Sequence, residues 1–234
     1  MKTNSPVHKY LLIGSAFLGL ATVALGLIML FVFPASADLT EGFRTPIIAF
    51  EFARSDADLA FLTGNSNTAI ANRDMMDAGH RWDAAFPFAY AGFIALLLVQ
   101  LALQGQRWLW LGVAMALVII PLDLRENAIL LAITEALRHD ASTTVLLQQL
   151  HTATWLKWGA LGASIAALSL GLLKQKYSTW AALGAITALT IALCWVSDAR
   201  PLIAETMSLA TSTFFLVFAI QASIRAWQAV QRGA

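Results

Sequence analysis

Apolar residues run without a break from Tyr10 to Phe33, and five further apolar segments follow at about 83–104, 108–128, 150–173, 179–197 and 202–227. About 20 apolar residues suffice to cross a hydrocarbon core. The pattern therefore predicts an all-α fold, a polytopic bundle of six transmembrane helices forming a single membrane domain over residues 1–234. Ala35-Ser36-Ala37 after the first run has the form of a signal-peptidase site. A signal h-region is only about 7–15 residues long, however, so an uncleaved first span is expected. The connections at Gly105-Gln106-Arg107, Lys174-Gln175-Lys176 and Asp198-Ala199-Arg200-Pro201 are short, which makes successive helices antiparallel neighbours. The third and fourth helices are expected to project beyond the bilayer, reaching about Leu137 and starting at about Thr143. No internal repeat of the kind found in inverted-repeat transporters is evident.

Residues 34–82 form the one long hydrophilic segment. Thr45-Pro46 reads as an N-cap followed by proline at the first helical position, and Gly64 as a stop. A second short helix is expected from about Asn67 to Ala78, ending at Gly79. Ile47, Ile48, Phe50, Phe52, Leu59, Phe61 and Leu62 alternate with Glu51, Arg54, Asp56 and Asp58. That mixture suits helices lying on the membrane surface or over the bundle. A solvated connector and a lid are the two readings of this segment.

Composition agrees with the pattern. The chain is 59% hydrophobic and 12% charged, against about 25% charged in soluble domains. With the N-terminus inside, the inner helix ends carry Lys2, Lys9, Arg107, Lys174, Lys176, Arg225 and Arg232 and no acidic residue. Lysine and arginine in short loops set orientation. The expectation is a multi-pass protein of a bacterial inner membrane with both termini cytoplasmic. Trp108, Trp110, Trp180 and Trp227 fall near the inner interface and Trp82, Trp155, Trp158 and Trp195 near the outer, as aromatic belts require. A net charge of +1 argues against nucleic acid as a partner. The single cysteine, Cys194, excludes an intramolecular disulfide, and His8, His80, His139 and His151 have no metal-motif spacing. No cofactor and no histidine-rich metal site are expected, and a mixed His/carboxylate site is the one metal alternative left open.

The chemistry concentrates at Pro121-Leu122-Asp123-Leu124-Arg125-Glu126-Asn127. Asp123, Glu126 and Asn127 are spaced i, i+3, i+4 and share one helix face. Ionisable groups at membrane depth are costly and mark a site or a pair. At the helical rise, Asp123 lies about 22 Å and Lys157 about 24 Å from the inner interface, both within the hydrocarbon layer. An Asp123–Lys157 ion pair between the third and fourth helices is one expectation, and an acid/base pair at the same place is the other. Pro121 is expected to kink its helix. Asp83 and Glu205, each near the start of a helix, suit the positive end of its dipole. Asp83, Tyr90, Asn127, Trp155 and Glu205 are candidate ligand-binding residues, and Asp123, Glu126, His151 and Lys157 candidate catalytic ones. Together they describe a polar pocket opening to the outer face. Thr206, Ser208, Thr211, Ser212 and Thr213 place hydroxyls on the last helix, where they bridge helices or line a cavity.

Asp123-x-x-Glu126-Asn127, with Asp83 heading the second helix and Lys157 in the fourth, resembles small polytopic bacterial inner-membrane proteins over about residues 80–160. That resemblance implies a membrane bundle and no activity. The alkaline-ceramidase-like hydrolases are excluded, because their paired-histidine helix and seventh span are missing here. The expected partners are membrane lipids and an amphiphilic, lipid or isoprenoid-like ligand, acted on by general acid/base chemistry if at all. A non-catalytic subunit or assembly factor bound to a partner membrane protein is the alternative, and a proton-coupled transporter the second.

Overall fold

A computed structural model describes residues 6–232, and among these the chain is helical with no strand. Lys2 lies outside the described residues. In order, the elements are α1 (Pro6–Val32), α2 (Pro46–Glu51), a 3-10 helix (Asp56–Leu62), α3 (Asn67–Asp83), α4 (Phe86–Leu103), α5 (Leu109–Arg138), α6 (Thr144–Lys174), α7 (Ser178–Val196) and α8 (Pro201–Gln231). Among the described residues, five stretches are long and apolar enough to cross a membrane: Val7–Val32, Asn67–Leu103, Thr144–Lys174, Ser178–Val196 and Pro201–Gln231. The sequence pattern counts six spans. The difference is α5, whose apolar run passes directly into Asp123, Arg125 and Glu126. The helix continues unbroken through Pro121.

The six long helices α1, α4, α5, α6, α7 and α8 close a ring in which each packs on its neighbours in chain order and α8 returns to α1. Apolar side chains fill the ring because the bundle must bury its helix–helix faces: Phe93, Ile94, Leu98, Ile119, Ile165 and Phe214 are all fully buried. The outward faces remain apolar, with Phe17, Phe31, Leu189, Leu209 and Trp195 exposed, as a lipid-facing surface requires.

A second core stands at one end of the ring. α5 and α6 extend beyond it and present Leu130, Ile133, Leu147 and Leu150 to Phe50, Leu59, Leu62 and Met76 of the segment before α4. The hydrophilic segment is thus a packed cap. Arg73 Nη1 donates to the carbonyls of Leu62 (2.5 Å) and Gly64 (2.8 Å), and Asn72 Nδ2 to that of Phe61 (2.9 Å), so α3 carries the 3-10 helix. Arg138 ties α5 to α3 through Asp77 at 2.5 Å and Asp74 at 3.1 Å.

Three expectations about this segment are corrected. The helix read from Thr45-Pro46 to Gly64 is broken, α2 ending at Glu51 and a 3-10 helix running from Asp56 to Leu62. Gly79 does not end α3, which runs on to Asp83. The glycine is there for a close approach: a Cβ at this position would overlap the ring of Phe33. Asp83 consequently ends α3 and does not head α4, whose N-cap is Ala85 with proline in its first turn. It therefore gains nothing from the positive end of a helix dipole.

Candidate functional site

α5 brings Asp123, Glu126 and Asn127 to one buried face. Glu126 is fully buried and forms an ion pair with Lys157 of α6. The Lys157 ammonium also meets Glu51 Oε1 at 3.2 Å and lies 5.1 Å from the ring centroid of Trp158. The anticipated Asp123–Lys157 pair is therefore replaced by a Glu51–Lys157–Glu126 triad. Asp123 instead accepts a hydrogen bond from the Tyr90 hydroxyl of α4, while its other oxygen, Oδ1, is buried without a partner. The amide nitrogen of Asn127 is also buried without one.

Glu51 comes from α2, a helix of six residues. Three contacts hold it in the bundle. Trp158 Nε1 donates to Glu51 Oε2 at 3.2 Å, the Thr154 hydroxyl donates to the Glu51 carbonyl at 3.2 Å, and Glu205 of α8 anchors the start of α2. The Glu205 carboxylate accepts from the backbone N–H groups of Arg44 (2.9 Å) and Thr45 (2.8 Å) and from the Thr45 hydroxyl (2.6 Å). The Thr45 side chain makes no cap bond of its own, so the capping anion arrives from another helix.

Behind α2 lies a cavity of about 500 Å³. Glu51, Asp83, Tyr90, Asp123 and Lys157 line its polar side, and Met29, Phe33, Phe86, Leu161 and Phe215 its apolar walls. Leu30 of α1 and Ser212 of α8 also line it and are exposed on the outer surface of the ring, which places a mouth between α1 and α8. Thr211 and Ser208 add hydroxyls from α8. The cluster holds four carboxyl groups, those of Glu51, Asp83, Asp123 and Glu126, around one ammonium. With Tyr90 it can hold a proton or pass one to a group bound in the cavity.

Of the residues singled out in the sequence, Asp83, Tyr90, Asp123 and Lys157 line the cavity, and Glu126 and Asn127 are packed behind it. The other three lie elsewhere. His151 is half-buried with its ring edge-on to Trp155, Trp155 packs between Phe52 and Trp195, and Glu205 spends its carboxylate on the start of α2. Two contributors went unread, Glu51 and Trp158. The signal for Glu51 was local: it sits between Phe50 and Phe52, both buried, one turn after a proline-initiated helix start. Among the described residues no three His, Cys, Asp or Glu side chains are arranged so that they could hold one metal ion, the four carboxyl groups of the cluster included.

No protein-family model, curated protein or solved structure matches the chain. The functional reading rests on the geometry.

Proposed function

We propose that the chain is a six-span protein of a bacterial inner membrane with both termini cytoplasmic, and that its cap-end cavity binds a lipid or isoprenoid-like amphiphile from the outer leaflet. α5 is the sixth span in this reading, since it fills the ring position between α4 and α6 and its charged groups face inward. The orientation follows the cations Lys9, Arg107, Lys174, Lys176, Arg225 and Arg232 at the ring end opposite the cap. One observation carries the binding reading: a single cavity joins a floor of carboxyl and ammonium groups to a mouth at the apolar outer face of the ring. A polar head then meets Asp83, Tyr90, Asp123 and Lys157 while the tail lies along Leu30 and Phe215. Acid/base action on that head is the chemistry the donor set supports.

A second reading, a non-catalytic subunit, draws support from the triad, because Lys157 is already held by two carboxylates and serves as an interhelical tie. Native mass spectrometry with lipidomics on protein in mild detergent separates the two. Asp123→Asn changes the floor, and Ser212→Trp fills the mouth at an exposed position. The expected result is an amphiphile on the wild type that is lost from both folded variants. Nothing bound to the wild type, or equal amounts on all three, overturns the binding reading.

A further inference from the structure

The opposite end of the ring holds a second and larger cavity, about 790 Å³, between α1, α4, α6, α7 and α8. Its deep part is apolar, formed by Leu97, Leu101, Leu168 and Phe218. Its rim carries Lys9, Arg225 and Arg232, and no aspartate or glutamate lines it. Among the described residues none of these three cations forms an ion pair. Arg225 rests 5.1 Å from the ring centroid of Tyr177, which fixes its direction without neutralising it. Arg225 and Arg232 are seven residues apart, two turns along one face of α8. Gln100, 7% exposed in an otherwise apolar wall, is held there by donating to Ser15 Oγ at 2.7 Å, and Gln221 and Gln228 add further amides.

Uncompensated positive charge around an apolar-floored cavity is met by an anion that carries an apolar body. Guanidinium groups favour phosphate oxygens, which they bind through paired N–H donors. We propose that this cavity binds a phosphate-bearing anion, its charged group on Lys9, Arg225 and Arg232. An anionic phospholipid, whose chains would lie against Leu97, Leu101 and Phe218, and a free phosphate are the two sources of that chemistry. The site is independent of the cap-end cavity.

The test compares added phosphatidylglycerol with phosphatidylcholine of the same chains by native mass spectrometry, alongside thermal unfolding in inorganic phosphate. Two charge-matched variants are used. Lys9→Gln/Arg225→Gln/Arg232→Gln strips the cavity, and Arg107→Gln/Lys174→Gln/Lys176→Gln strips the same end of the ring outside it. Phosphatidylglycerol is expected to outbind phosphatidylcholine about tenfold or more on the wild type, and the cavity variant to lose about a hundredfold, at roughly fivefold per cation. The matched variant should stay within about threefold of wild type. Arg232→Gln alone, at an exposed position, tests the site without risk to the fold and should lose about fivefold. Stabilisation by inorganic phosphate that also displaces the lipid supports the site with a free anion as a sufficient ligand. Lipid binding with no response to phosphate supports it with the headgroup of a lipid as the ligand. Equal losses in both triple variants, no preference between the lipids, or a stabilisation by phosphate that chloride reproduces in full would overturn it.

Discussion

Lys157→Met removes the ammonium from the triad while keeping an unbranched side chain of similar length. The Lys157 side chain is 8% exposed, and its partners Glu51 and Glu126 are 12% and 1% exposed. Breaking a buried pair by deleting one partner costs about 3–5 kcal/mol, because the remaining charge is left uncompensated. For a chain of this size that is a fall in melting temperature of about 6–20 °C. The two carboxylates are not equivalent. Glu51 borders the cavity and keeps the Trp158 Nε1 donor, whereas both oxygens of Glu126 are buried without another hydrogen-bond donor. Adding Glu126→Leu to Lys157→Met should therefore restore most of the lost stability, since an apolar replacement of a buried pair is often neutral. Adding Glu51→Leu should restore less. Thermal unfolding of these proteins together with the Glu126→Leu and Glu51→Leu single variants, six in all, in one detergent gives the coupling energies as two double-mutant cycles. A melting temperature for Lys157→Met within about 2 °C of wild type would refute the buried triad. Equal rescue by Glu51→Leu and Glu126→Leu would refute the asymmetry.

Three further outcomes are expected. Glu205→Ala deletes the carboxylate that receives three donors from Arg44 and Thr45, each charge-assisted bond being worth about 1.5–3 kcal/mol, so hydrogen exchange over residues 44–51 should rise about tenfold or more while α4 stays protected. Burial acts to raise the Asp58 carboxyl, but the Arg54 N–H, the Ser55 and Thr40 hydroxyls and the Ser55 N–H together hold it below its ordinary value. A depressed folded-state value means that stabilisation is complete above the ordinary carboxylate range and is lost as pH falls through the folded value; the cap should lose protease resistance on acidification, and Asp58→Asn should flatten that dependence. Cys194 is the single cysteine and is buried, so in a Cys194→Ala background Arg107→Cys and Ser142→Cys should label from opposite sides of the membrane, and labelling from the same side would remove α5 from the spans.

The ring was legible because membrane burial writes itself into sequence as uninterrupted apolar length. Five of its helices follow directly from that signal, and α5 follows as far as Ile120. The cap was less legible for the same reason: its burial is against protein, so its residues mix charge with bulk and carry no single period. Gly79 shows the ambiguity at one residue. A glycine that ends a helix and a glycine that lets a ring approach look identical in sequence, and only the position of Phe33, more than forty residues earlier, decides between them.

The site shows where a one-dimensional reading stops. Depth along the membrane normal placed Asp123 and Lys157 together, but Glu126 lies only about 4.5 Å further along α5 and is rotated by about 60° from Asp123. A lysine side chain is long enough to reach either, so azimuth and not depth selects Glu126. Glu51 was out of reach of any such count, because its direction depends on how a six-residue helix is pinned by Glu205, which lies more than 150 residues away in the chain. The same pin gives the cavity its character. Glu126 stands behind Lys157 and away from the cavity, while Glu51 stands on the cavity side. An incoming anionic group therefore meets Lys157 in competition with Glu51 and meets Arg44, which also lines the cavity, outside that competition, whereas a neutral head meets Tyr90 and Asp123.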